Sequence, residues 1–240
     1  MPGESVKIGA TEGGEFDCYL AMPTDGEKVP AVVLACSIDG VDADLCQIAD
    51  EFAVAGYIAA APDLFWRTVP GPLASDDPRT QERSQPRREK LTTNERDLVD
   101  TRAYLRTLSP FNGRVALMGF CYGGPFAILG PERLGYDDGI ACHGSQMLDY
   151  IGELDDVREP VCLIWGDQDH RAPPPVLDAY RAVSSHMNNV EVHIFPGVQH
   201  GFMMPSSPEA FDAKTRDFAM KRALAILAGL RGGAPRRTAS

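Results

Sequence analysis

Basic residues are scarce in this chain: 23 Lys and Arg stand against 34 Asp and Glu, leaving a formal net charge of -11 at pH 7. With no long basic block to offset that balance, nucleic acid and anionic membrane surfaces are excluded as main partners. An anionic small molecule would have to be drawn in by a local positive patch. No stretch approaches the ~18 consecutive apolar residues that a membrane span needs. The opening Met1-Pro-Gly-Glu-Ser-Val-Lys7 also lacks the basic start and apolar run of a signal peptide. A cytoplasmic protein with no membrane partner is expected. The six cysteines (Cys18, Cys36, Cys46, Cys121, Cys142 and Cys162) include no C-x-x-C pair. They therefore suggest neither a disulfide framework nor a zinc site, and no metal or cofactor is expected. Internal repeats and dividing linkers are absent too. The 240 residues should thus form one domain over 1–232, with a flexible polar tail over 233–240.

What is present alternates between strand and helix signals. Val6–Ala10 and Phe16–Met22 read as two short strands around a Glu12-Gly-Gly turn, and Pro30–Ser37 is a continuous β-branched apolar run of the kind covered on both faces. Ile38–Asp42 follows as a loop. Ala43–Ala55 carries Leu45, Ile48, Ala49, Phe52 and Ala53 at helical spacing, and Tyr57–Ala61 is a further buried strand. Asp63–Pro86 has no regular period and reads as a long loop, while Leu91–Leu108 reads as a helix. Gly139–Gly144, Val161–Gly166 and Val190–Phe195 read as strands, and Pro173–Met187 and Pro208–Leu230 as helices. Such alternation implies βαβ units: an α/β class with a mostly parallel central sheet and helices on both faces.

The apolar run Arg114–Met118 meets Gly119-Phe-Cys-Tyr-Gly-Gly124 and then resumes as a second apolar segment to Leu129. Glycines flank Cys121 two residues away on either side, the pattern of a nucleophile elbow with cysteine in place of serine. Between strand and helix the nucleophile is held in a strained conformation, which needs neighbours without Cβ atoms. A helix beginning beneath the sulfur would favour thiolate and a developing oxyanion. The alternative is a buried structural cysteine in a βα turn.

A thiol with an ordinary pKa of about 8.5 needs a base or a positive environment to act near neutrality. His200, in the glycine-bounded loop Pro196–Phe202 between the last strand and last helix, is the expected base. His143 also lies at a strand end; His186 and His193 read as surface or packing residues. Trp165-Gly-Asp-Gln-Asp-His170 offers Asp167 and Asp169 as the acid that orients the histidine. Asp169, further into the loop, is favoured, whereas Asp167 is placed to cap the turn. The order Cys, Asp, His is that of α/β-hydrolase triads.

These segments, with Ala61-Pro-Asp-Leu64 and Gly197-Val-Gln-His200, resemble the dienelactone hydrolases (carboxymethylenebutenolidases) of the α/β-hydrolase superfamily, from Pro30 to about Phe218. The resemblance implies an α/β-hydrolase fold with Cys121 as nucleophile, His200 as base, Asp169 as orienting acid, and the N–H groups of Ile38 and Tyr122 as oxyanion hole. It also exposes departures. Ser37 stands where the family carries a glutamate that pairs with the resting thiol. Met204 stands where members acting on dienelactone carry a carboxylate-binding arginine, and Gly201 replaces a polar residue. Arg83 would represent a second such arginine, with Arg79, Arg87 and Arg88 as alternatives.

The expected function is cysteine-dependent hydrolysis of a small-molecule ester or lactone through an acyl-thioester, by a monomer or homodimer. One alternative is an esterase for neutral apolar acyl groups, with Phe65, Trp66, Phe202, Met203 and Met204 lining its pocket. The other is a noncatalytic ligand-binding protein on the same fold.

Overall fold

A computed structural model describes residues 2–24, 26–74, 76–85 and 87–232, the side chains of residues 87 and 88 excepted. The tail expected at 233–240 lies outside the described residues, as do the side chains of Arg87 and Arg88. Eight strands form one sheet in the order β1-β2-β4-β3-β5-β6-β7-β8, and the chain divides into two compact units, one running to Ala116 and taking in the segment from Leu227, the other Leu117–Ile226.

In the first unit, β1 (Glu4–Gly9) and β2 (Glu15–Ala21) form an antiparallel hairpin. Gly13 and Gly14 turn it at φ 100 and 87, conformations that only glycine adopts without strain. β3 (Val29–Ala35) and β4 (Ile58–Pro62) are buried at every position and pair in parallel, as their unbroken apolar runs predict. Between them runs α1 (Ala43–Val54), whose start is fixed by Asp42 accepting a 2.8 Å hydrogen bond from the Leu45 N–H.

The stretch expected as a structureless loop over 63–86 contains a short helix, α2 (Arg79–Ser84), and is held by side chains instead of a hydrophobic period. Asp63 accepts from the N–H groups of Phe65 and Gly71 at 2.9 and 2.7 Å. α3 (Arg87–Leu105) begins four residues earlier than its apolar pattern indicates, because much of its inner face is polar. Asn94, Asp97, Asp100 and Thr101 are all buried on it.

β5 (Phe111–Phe120) runs into the second unit. There β6 (Asp138–Cys142), β7 (Val161–Gly166) and β8 (Val190–Phe195) pair in parallel register. The helix expected after the elbow is broken up: a 3-10 turn over Cys121–Gly123, α4 (Phe126–Leu129), then a π turn over Gly130–Leu134. Pro131 explains the last change, since it has no N–H to donate and its ring crowds the carbonyl one turn back. α5 (Pro174–His186) and α6 (Ala213–Leu230) complete the helices. Among the described residues no helix is long and apolar enough to cross a membrane.

Gly166 ends β7 against the loop that carries His200, and a Cβ there would fall 2.0 Å from the Val198 carbonyl oxygen. Gly166→Ala must therefore push that loop away. A loss of ~1–3 kcal/mol is expected, read as a lower urea midpoint at unchanged slope; a midpoint equal to the parent would mean that the backbones do not touch.

Candidate active site

Cys121 sits at φ 47, a conformation strained for any residue with a side chain. Close approach imposes it: a Cβ on Gly119 would lie 2.1 Å from the Gly123 oxygen, and one on Gly124 2.3 Å from the Gly144 Cα. Strand and turn therefore press together with Cys121 between them, and its side chain remains partly accessible.

Around the thiol the second unit collects three loops. From the end of β6 comes Ser145, whose N–H donates to the Cys121 carbonyl at 2.8 Å and whose hydroxyl lies 3.9 Å from Sγ. From the end of β7 comes Asp169, and from the end of β8 comes His200. His200 Nδ1 faces both oxygens of Asp169, at 3.0 and 2.9 Å, and the Asp169 carboxylate is fully buried. Asp167, two residues earlier, accepts from the Gly197 N–H at 2.7 Å and so braces the base of the His200 loop.

Charge follows from this geometry. Burial works against a charged His200, but its hydrogen bond to Asp169, the Cys121 sulfur beside it and the negative charges of both outweigh that, holding the ring up to about 9. Burial likewise opposes a charged Cys121, yet the neighbouring His200 ring and its charge, the Arg171 charge and the Ser145 hydroxyl bring the thiol below its ordinary value. His200 Nε2 meets no partner within hydrogen-bond geometry. Ring and thiol nonetheless move each other's proton affinities in opposite directions, so they form an electrostatic couple whose hydrogen bond is not closed at rest. Burial pushes the other five thiols up, Cys46 to about 11 and Cys162 to about 12, and Cys18, Cys36 and Cys142 further still.

His143 is a poor base. It is buried, its ring lies 5.0 Å from those of both His200 and Phe202, and burial followed by the His200 charge holds it well below the usual histidine range. His186 is exposed, and His193 packs against Phe218 at 4.8 Å, in keeping with surface and packing roles.

Phe202 and Met204 are buried in the loop just past His200. Tyr122 is buried directly after Cys121. The remaining candidates belong to the first unit. The Ser37 hydroxyl donates to Asp39 at 3.0 Å and closes the turn after β3. The Trp66 indole donates to Asp97 at 3.2 Å under the Arg67 guanidinium. Arg83 differs from its expected role as a carboxylate clamp: it is fully buried, donating to the carbonyls of Val69 at 2.8 Å, Ile38 at 3.0 Å, and Gly71. Its guanidinium thus ties the long loop to the Ile38 turn, and a substrate carboxylate would have to displace those carbonyls.

Cys162, Glu191 and His193 bring one ligand-type atom each within 4.8 Å of one another on β7 and β8. Arg222 already binds Glu191 by two nitrogens, and His193 lies 3.2 Å from the same carboxylate, so the Glu191 oxygens are already engaged. Ser145 and Arg171 were not anticipated from sequence. Their only local signal is a place in the loops that follow β6 and β7.

A mostly parallel eight-stranded sheet with an elbow at the end of β5 is the architecture of the α/β-hydrolases. The chain belongs to the dienelactone hydrolase family, which it matches over residues 16–230, and it is a carboxylic ester hydrolase. Carboxymethylenebutenolidase 1 of Cupriavidus pinatubonensis is 29% identical over 234 residues, covering 96% of this chain and 99% of that protein. The carboxymethylenebutenolidase of Pseudomonas putida is 27% identical over 238 residues, covering 98% and 100%. A Klebsiella pneumoniae structure assigned as a dienelactone hydrolase superposes with a TM-score of 0.80 at 20% identity, over 94% of this chain and 98% of that one.

Iodoacetamide should label Cys121 ahead of the other five cysteines in the native protein, because only its thiol is drawn below the ordinary range. Its rate should rise with a midpoint below the ~8.5 of a free thiol and stay high at alkaline pH, where thiolate persists. Peptide mass mapping across a pH series checks this; a midpoint at or above the free-thiol value would remove the electrostatic couple.

Proposed function

We infer that this protein hydrolyses small esters or lactones through an acyl-thioester on Cys121. The observation that carries the reading is a strained elbow thiol, lowered in pKa by a histidine that a buried carboxylate grips with both oxygens. The thiolate attacks the acyl carbon, and the charge moved to oxygen is met by the Tyr122 N–H. The carbon–oxygen bond breaks as the imidazolium passes its Nε2 proton to the leaving oxygen. Neutral Nε2 then takes a proton from water as that water attacks the thioester, and the free acid departs with Cys121 again a thiolate. Asp169 keeps the ring in the tautomer this cycle requires and stabilises its charged form. The family match spans residues 16–230, which supports reading 1–232 as one catalytic domain. A cytoplasmic setting fits six cysteines that are all free thiols.

Cys121→Ala should abolish turnover of a chromogenic short-chain ester while leaving the thermal midpoint nearly unchanged. A parental trace quenched in acid should carry the acyl mass on the Cys121 peptide. Turnover by the alanine variant at the parental rate would transfer the role to another residue.

The pH profile gives a second test. The productive pair is thiolate with imidazolium, so kcat/KM should climb through the lowered thiol pKa and fall as His200 loses its proton near 9. Asp169→Asn removes the carboxylate that raises His200, so the falling limb should move to lower pH and activity should drop ~10²–10⁴-fold. Asp167→Asn keeps an oxygen for the Gly197 N–H and should cost far less. Equal losses, or a falling limb that does not move, would overturn the role given to Asp169.

A further inference from the structure

Beside Ser145 the second unit opens a cavity of about 350 Å³, lined by Gln146, Leu148, Asp149, Arg171, Pro173 and Val176. That volume lies within the ~300–1,000 Å³ usual for small-molecule sites. Two of its lining residues, Gln146 and Arg171, lie one and two positions along the chain from Ser145 and Asp169. Gln146 follows Ser145 at φ 56, another strained position, and the Arg171 N–H donates to the Asp169 carboxylate at 2.7 Å. Leu148 is 44% exposed, one of few large apolar side chains left open to solvent.

Arg171 is the unusual member. Its Nε donates to His170 Nε2 at 3.0 Å, which orients the guanidinium. Among the described residues no carboxylate forms an ion pair with it, although acidic residues outnumber basic ones 34 to 23. In a chain of net charge -11, such a cation beside an apolar wall is the local patch an anion would need. Arg83 is committed to backbone carbonyls, and Met204 carries no charge.

We propose that Arg171 is a specificity-determining residue, and that the cavity takes the far end of a half-ester: an acyl chain with a short methylene segment along Leu148 and Val176 and a terminal carboxylate on the Arg171 guanidinium. The proposal rests on the reading of Cys121 as the acylated nucleophile. It differs from a lactone clamp in place and in substrate, because charge is read by the loop after β7 and the carboxylate is remote from the scissile bond. Asp149, exposed on the same rim, weakens the attraction and keeps it tunable.

Two para-nitrophenyl esters of equal chain length test it, the hexanoate and the hydrogen adipate. The ratio of kcat/KM, adipate over hexanoate, should fall ~10–100-fold in Arg171→Gln, recover in part in Arg171→Lys, and rise in Asp149→Asn. A readout without turnover accompanies it: the ratio of Cys121 alkylation rates by iodoacetate and iodoacetamide. Any change in thiol reactivity cancels in this ratio, which should fall in Arg171→Gln and rise in Asp149→Asn. If neither ester is turned over, the hydrolase reading fails while the alkylation ratio still decides the charge of the site. An alkylation ratio that Arg171→Gln leaves unmoved, or an ester ratio that it leaves unmoved, overturns the proposal.

Discussion

Contact between bare backbones holds the reactive centre in shape. Where a Cβ on Gly119 would lie 2.1 Å from the Gly123 oxygen and one on Gly166 2.0 Å from the Val198 oxygen, strand ends press directly on the loops that follow. Cys121 is kept at a positive φ by that pressure, since the strain of a few kcal/mol persists only when the surroundings over-determine it. The same device at Gly166 sets the distance between the loops of Asp169 and His200. The glycines supply the rigidity, and the polar side chains inherit their positions from it.

The electrostatics follow from those positions. A buried imidazole should lose its charge and a buried thiol should keep its proton. The centre reverses both tendencies: moving His200 from its ordinary 6.5 to about 9 corresponds to ~3 kcal/mol in favour of the imidazolium. Side chains do this work here, because the segment after the elbow is cut into a 3-10 turn, a four-residue helix and a π turn. The helix anticipated beneath the sulfur is present as short turns of differing pitch. Beside it stand the His200 charge, the Arg171 charge and the Ser145 hydroxyl.

This contrast shows which parts of the molecule could be read in the sequence. β3 and β7 were legible because strands covered on both faces need unbroken apolar runs, β8 because its residues alternate, and the elbow because a strained nucleophile forces glycines at fixed offsets. Asp169 and His200 lie together as anticipated, since strand ends in such sheets converge on one site. Length and register of α3 were obscured because it buries polar groups: Asn94 donates to the Leu64 carbonyl, Asp97 holds Trp66 and Arg67, and Asp100 accepts from Thr11. Such a face has no apolar period to detect. The loop over 63–86 hid its order for the same reason.

Arg83 and Arg171 show why an arginine's role cannot be read from its place in a sequence. Arg83 lies in α2 and Arg171 in the loop past β7, and the sequence reading takes Arg83, with Arg79, Arg87 and Arg88 as alternatives, as the carboxylate-binding cation. Arg83 is fully buried, and burying a guanidinium is tolerable only when its donors are met; three of its five N–H donors meet backbone carbonyls. Arg171 is exposed and, among the described residues, its side chain makes one hydrogen bond, from Nε to Nε2 of its neighbour His170. The distinction is one of donor satisfaction, which depends on carbonyls distant in sequence, so only the folded chain reveals which cation stays available.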